Sequence, residues 1–166
     1  DHLVKAWHAT YNFPAIVTNC SNNYGPWQYP DKLIPVIINR ALNQKYIPIY
    51  GKGENIRDWL YVEDHAEAIL LTALKGKLGK NYCIGGKNER TNIEMALKIC
   101  EILDRYFPER KPHKNLIQFT QDRLGHDFRY SIDNKLIQDH IGWYPKFDFE
   151  SSLKETIDWF INNQNI

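Results

Sequence analysis

The chain lacks every glycine signature that cradles a phosphate. No Gly-x-Gly-x-x-Gly follows a first strand, and neither a Gly-x-Ser-x-Gly elbow nor a P-loop is present. Gly51-Lys52-Gly53 and Gly85-Gly86 are too short for that task and read as turns. Cysteine is scarce: Cys20, Cys83 and Cys100 are far apart and never in Cys-x-x-Cys spacing. That gives no disulfide framework and suits a reducing compartment, so a cytoplasmic location is expected. The six histidines form no metal-ligand spacing. Neither an apolar run of membrane length nor a signal-peptide pattern is visible, and no membrane partner is expected. Charge of one sign is missing too. The formal net charge is +1 and no basic run occurs, which argues against a broad nucleic-acid surface. A few arginines gathered in a pocket remain compatible with phosphate binding.

What is present is the balance of a globular domain, 43% hydrophobic and 25% charged. Aromatics make up 13% of the chain, serving a core or a pocket that stacks flat rings. Leu3, Val4 and Trp7 are spaced like a helix already under way, so residue 1 is expected to lie inside an element. Ala15 to Cys20 is an apolar, β-branched run of the kind buried on both faces of a parallel sheet. Asn22 to Asp31 reads as a loop, and Leu33 to Leu42 as a helix with Pro35 near its first turn. Ile47 to Tyr50 and Trp59 to Val62 read as short extended pieces. Ala66, Ile69, Leu70, Ala73 and Leu74 share one face of a helix from about Glu63 to Leu74, stopped by Gly76. Asn81 to Ile84 is a strand. Thr91 and Glu94 form a capping box for a helix with Ile93, Leu97, Cys100 and Leu103 on one side. Ile117 to Thr120 is a strand, Asp133 is placed to cap a helix ending at Gly142, and Leu153, Ile157, Phe160 and Ile161 mark a last amphipathic helix. The alternation predicts an α/β architecture.

In open α/β sheets, ligands sit beyond the carboxyl ends of strands. Four loops qualify, carrying Asn22 to Pro26, Arg57 and Asp58, Asn88 and Asn92, and Asp122 to Asp127 followed by Arg129. Two separated arginines with two amides suit a diphosphate, because guanidinium gives bidentate charge-assisted bonds and amides add neutral donors. Each residue also has a plain reading: Arg57 beside Asp58 as a solvated pair, Asn22 as a turn cap, His126 as a loop histidine. Glu63 and Asp64 lie at a helix start, where capping and the helix dipole account for them better than a carboxylate dyad does.

Several stretches carry a family resemblance. Thr18 to Pro26, Arg57-Asp58-Trp59-Leu60-Tyr61-Val62-Glu63-Asp64 and Tyr82-Cys83-Ile84-Gly85-Gly86 resemble segments of extended short-chain dehydrogenases acting on nucleotide sugars. Ile47 to Gly53, Asp122-Arg123-x-Gly125-His126-Asp127 and Gly142-Trp143-x-Pro145 are similar to the dTDP-glucose 4,6-dehydratases among them, with Leu124 in place of the usual Pro. The resemblance covers the chain in order. It implies that residues 1–166 are the C-terminal, nucleotide-sugar-binding portion: the last strands and helices of a Rossmann-type sheet plus the smaller substrate domain, without the N-terminal NAD-binding half. It places Asn22 and Arg57 on the diphosphate, and Asn92, Arg123 and His126 on the nucleotide sugar. Pro48 and Tyr50 would flank the thymine ring, Lys32 and Leu33 would line the nucleotide site, and Cys20 and Ser21 would lie near the nicotinamide of NAD. Implied partners are a dTDP-sugar, the N-terminal half and, for the full-length enzyme, a second copy. No catalytic residue is expected in this chain. Two alternatives stay open: another epimerase or decarboxylase of the same superfamily, and a non-catalytic nucleotide-sugar-binding module.

Overall fold

The computed structural model describes residues 1–163. The elements alternate as α1 (His2–Tyr11), β1 (Val17–Cys20), β2 (Asn22–Tyr24), α2 (Leu33–Leu42), β3 (Ile47–Tyr50), β4 (Ile56–Tyr61) and α3 (Val62–Lys75). There follow β5 (Asn81–Ile84), β6 (Glu89–Thr91), α4 (Asn92–Tyr106), β7 (Ile117–Thr120), β8 (Arg129–Tyr130), α5 (Lys135–Ile141) and α6 (Phe149–Asn162). Two 3-10 turns, Pro108–Arg110 and His113–Leu116, separate α4 from β7. Among the described residues the strands form three small sheets. β1 pairs with β5 and β3 with β7, both parallel. In the third, β2 and β8 run parallel to β4, and β6 runs antiparallel to it. The mixed α/β class expected from the alternation is the class observed.

Strand β4 divides the interior. Its side chains alternate, so Trp59 and Tyr61 join a large core while Leu60 points into a smaller one. The large core is built from α2, β3, α4 and α6, through residues such as Ile37, Ile49, Ile99 and Leu153. The smaller core gathers Ala68, Tyr82, Ile84, Ile137 and Trp143. Local capping is explicit at α4, where the Thr91 Oγ1 accepts the Glu94 N–H at 3.2 Å and Glu94 accepts the Thr91 N–H at 2.8 Å. Both halves of the expected capping box are therefore made.

Some of these expectations need correction. Residues Asn22 to Tyr24 are not loop but a strand, because their backbone pairs with Trp59 to Tyr61. β1 is half-buried rather than buried on both faces, since among the described residues only β5 lies beside it. The apolar face of α3 lies outside: Leu70 is 59% and Leu74 72% exposed, and the helix buries Asp64, Ala68 and Thr72. Periodicity identified the helix, but a packing partner decides which stripe is covered, and the described residues bring none to that side. In α4, Leu97 is likewise exposed. The N-cap of α5 is Asn134, while Asp133 accepts the Lys135 N–H at 2.9 Å just outside it.

Asp64 also has a different role from the one expected. It is buried, and its two oxygens accept the backbone N–H groups of Lys146 at 2.9 Å and Phe147 at 3.3 Å. Burial pushes its carboxyl above the usual range, opposed by those two hydrogen bonds. It fastens the segment leading into α6 to the start of α3, and it belongs to no dyad.

Candidate functional site

Alternation along β3 makes one wall of a cleft. Ile47 and Ile49 are buried in the core, so Pro48 and Tyr50 point the other way. The same rule on β4 puts Arg57 and Trp59 on the cleft side and turns Asp58 away. Asp58 is buried, and its carboxylate accepts the N–H groups of Gly86 at 3.0 Å and Asn88 at 2.8 Å. Arg57 and Asp58 are thus not a surface ion pair. Arg57 instead donates to the carbonyls of Ile56 at 2.7 Å and Asp127 at 2.9 Å. Asn55 donates to that same Asp127 carbonyl at 3.2 Å, which pins the 122–130 loop beside β4.

Helix starts supply two further walls. α2 begins at Leu33 with Lys32 as N-cap and no side-chain cap, leaving its positive end to face the cleft. α4 begins at Asn92, but its first backbone donors are occupied: Asn92 N–H binds Asn55 O, Ile93 N–H binds Gly53 O and Glu94 N–H binds Thr91. An anion there must be met by the Asn92 side chain rather than by bare backbone. The amide oxygens of Asn22 and Asn92 are buried without a partner.

The last wall is the loop after β7. The His126 N–H reaches Arg123 O at 3.3 Å, closing a turn with Leu124 and Gly125 at its centre. Gly125 takes φ +69°, the left-handed region that suits glycine. The Arg123 guanidinium lies 4.3 Å from the centre of the Tyr50 ring, so a cation sits on the aromatic wall. Asp122 faces His126 Nδ1 at 2.8 Å and accepts the Arg123 N–H at 2.8 Å. The hydrogen bonds from His126 and from the Arg123 backbone hold its carboxyl below the ordinary carboxylate range.

The resulting cleft holds about 300 Å³ and is lined by Asn22, Lys32, Leu33, Pro48, Tyr50, Arg57, Asn92, Arg123 and His126. All nine residues singled out for the nucleotide sugar therefore meet in one place, although they come from six separate segments of the chain. Cys20 and Ser21 do not line it; Cys20 ends β1, and Ser21 lies between β1 and β2, just before Asn22. The sequence reading missed Asp31, Val36 and Trp59, which also line the cleft. Strand and helix spacing could have found two of them, since Trp59 is two residues from Arg57 on a strand and Val36 three from Leu33 on a helix. A larger groove of about 530 Å³ runs along α4 and the start of α6, lined by Arg105, Tyr106, Glu150 and Lys154 among others. It gathers none of the nine, and its lining mixes charges of both signs, Arg105 and Lys154 with Asp148 and Glu150. Size alone is a weaker guide than convergence of polar groups. Among the described residues no cluster of His, Cys, Asp or Glu is arranged to hold a metal ion. No helix among them is long and apolar enough to cross a membrane.

This geometry can be set beside known proteins. A dTDP-glucose 4,6-dehydratase of Shigella flexneri is 52% identical over 99% of the chain and 46% of its own length. A dTDP-glucose 4,6-dehydratase of Bacillus anthracis, solved in complex with NAD, is 43% identical and superposes with a TM-score of 0.90 over 99% of this chain and 50% of that one. One from Streptomyces venezuelae, also solved with NAD bound, is 35% identical with a TM-score of 0.92 over 98% and 48% of the two chains. The chain spans about half the length of the curated relatives it matches. The family model described as GDP-mannose 4,6 dehydratase matches residues 1–156. With nearly the whole chain matched in order, the protein belongs to the GDP-mannose 4,6 dehydratase family.

Proposed function

We propose that this chain is the nucleotide-sugar-binding portion of a dTDP-glucose 4,6-dehydratase, a lyase converting dTDP-glucose to dTDP-4-dehydro-6-deoxyglucose with loss of water. The carrying observation is the meeting of Asn22, Arg57, Asn92, Arg123 and His126 with Pro48 and Tyr50 in a single cleft. The chemistry of these groups divides cleanly. Two guanidinium groups and two amides answer a diphosphate, while a proline and a tyrosine ring offer flat apolar contact to a pyrimidine and its methyl group. The likeness to dTDP-glucose 4,6-dehydratases over the full chain supports the same ligand.

In this reading the chain binds and orients; it does not perform the redox step. Arg57 is held by the Asp127 and Ile56 carbonyls, so its position does not depend on ligand. Fixing the diphosphate and base at one end places the hexose at the other with little motion left to lose. NAD, when bound, supplies the acceptor for a hydride from C4 of the sugar and the donor of that hydride to C6. The residues here fit an edge contact with such a cofactor and not a pyrophosphate cradle. Ser21, just after β1, is buried with an unpaired Oγ, and the sequence contains no glycine-rich turn before a helix. The pyrophosphate cradle, the acid and base groups and the dehydration step are assigned to a companion portion outside these residues, so the chain alone is expected to be inactive.

Calorimetric titration of the chain with dTDP, alongside UDP and GDP, tests the proposal. The expected result is preference for dTDP over both and at least about tenfold weaker binding in Arg57→Ala, since a hydrogen bond to a charged group is worth about 1.5–3 kcal/mol. Equal binding of UDP would favour an epimerase-like site. Preference for GDP, or no binding by a folded chain, would contradict the proposal.

A further inference from the structure

β7 ends at Thr120, and the chain must turn at once for Arg123 and His126 to face Tyr50. Asp122 makes that turn. Its Oδ1 accepts the Arg123 backbone N–H and also lies 2.8 Å from His126 Nδ1. Its Oδ2 lies against the end of the neighbouring strand β3, where a Cβ placed on Gly51 would stand 2.9 Å from it. Gly51 directly follows Tyr50, takes φ +57° and donates its N–H to Thr120 O at 2.9 Å. A side chain at Gly51 would meet both a strained backbone and this carboxylate. One carboxylate therefore ties Arg123 and His126 together within the turn and packs closely against Gly51, the residue after Tyr50. A carboxylate is itself a poor partner for a diphosphate, because like charges repel where water is thin.

We infer that Asp122 is a positioning residue for the nucleotide-sugar site, setting Arg123 and His126 against Tyr50 and acting through them without touching the ligand. The inference rests on the reading of the cleft as a nucleotide-sugar site. In the neutral His126 tautomer with a proton on Nδ1, that nitrogen donates to Asp122 and leaves Nε2 available to a ligand. An asparagine at 122 keeps an oxygen that accepts both hydrogen bonds, whereas alanine keeps neither.

Titration with dTDP of the wild-type chain, Asp122→Ala, Asp122→Asn and a doubly substituted Arg123→Ala/His126→Ala background provides the test, with a thermal melt of each. Asp122→Ala is expected to weaken binding about tenfold, an order typical of losing a residue that orients a binding group. Asp122→Asn is expected to recover most of that loss. Adding Asp122→Ala to the double background is expected to cost nothing further, because its route of action is already gone. If the alanine variant melts early, Asp122→Ser, too short to reach His126, replaces it. Wild-type binding left unchanged by Asp122→Ala, no recovery by Asn, or a full further loss in the double background would each overturn the inference alone. Absence of dTDP binding by the folded wild-type chain would overturn the site reading and this inference together.

Discussion

Asp58→Ala should destabilise the chain far more than its place beside a surface arginine suggests. The Asp58 side chain is 1% exposed and accepts two backbone N–H groups, from Gly86 and Asn88. Alanine removes both acceptors and brings no water in their place. A hydrogen bond to a charged group contributes about 1.5 kcal/mol or more, so the pair is worth about 3 kcal/mol. That is a large share of the roughly 5–15 kcal/mol by which a domain is stable. For a chain of this length each kcal/mol moves the melting point by roughly 2–4 °C, giving a fall of about 6–12 °C. Asp58→Asn keeps one acceptor but turns an amide N–H toward a backbone donor, so it should recover only part of the loss. Differential scanning calorimetry at neutral pH reads both. An alanine variant melting within about 2 °C of wild type would refute the assignment of Asp58 as the anchor of the 85–88 loop.

Other substitutions extend the test to packing, capping and pH. Ile99→Ala, in the large core, should cost about 2–5 kcal/mol by denaturant unfolding, while Leu74→Ser on the exposed face of α3 should stay within about 0.5 kcal/mol. Thr91→Ala removes the cap of α4 and should cost about 1 kcal/mol in the same assay. Glu94 has its carboxyl held below the ordinary range by hydrogen bonds from the Thr91 backbone and side chain. Its contribution is therefore present above the unfolded carboxylate range, near pH 4, and is lost as pH falls through the lowered folded value. Glu94→Gln should flatten the decline in melting temperature between about pH 5 and pH 3. Leu124→Pro should raise stability by up to about 1 kcal/mol, because Leu124 is fully exposed at the second position of the Arg123–His126 turn, where proline restricts the unfolded chain.

Much of this was legible in the sequence where a rule is local. The α4 capping box needs only Thr91 and Glu94 three residues apart, and the direction of Pro48 and Tyr50 follows from strand alternation beside buried Ile47 and Ile49. What was not legible depends on neighbours distant in the chain. The apolar stripe of α3 marked a helix correctly, yet no spacing rule says whether Ile69, Leu70 and Leu74 find a cover. The strand at Asn22 to Tyr24 exists because β4 offers it a parallel edge, a pairing that polar Asn22-Asn23 does not advertise. The cleft itself joins residues as far apart as Asn22 and His126, so no motif read alone could show that they meet. Resemblance supplied that grouping, and the fold gives it a common surface. Asp58 and Asp64 illustrate the reverse case: adjacent charge suggested ion pairing and capping, while burial turned both into acceptors for distant backbone N–H groups.

The most direct test of the account is a map of where dTDP binds. Backbone amide chemical shifts should be recorded by heteronuclear NMR as dTDP is added to the isotope-labelled chain. Shifts are expected to concentrate at Asn22, Leu33, Tyr50, Arg57, Asn92, Arg123 and His126, with the Ile102, Tyr106 and Lys154 groove unmoved. Shifts centred on that groove, or none at saturating dTDP in a folded chain, would contradict the claim that these residues form one nucleotide-sugar site.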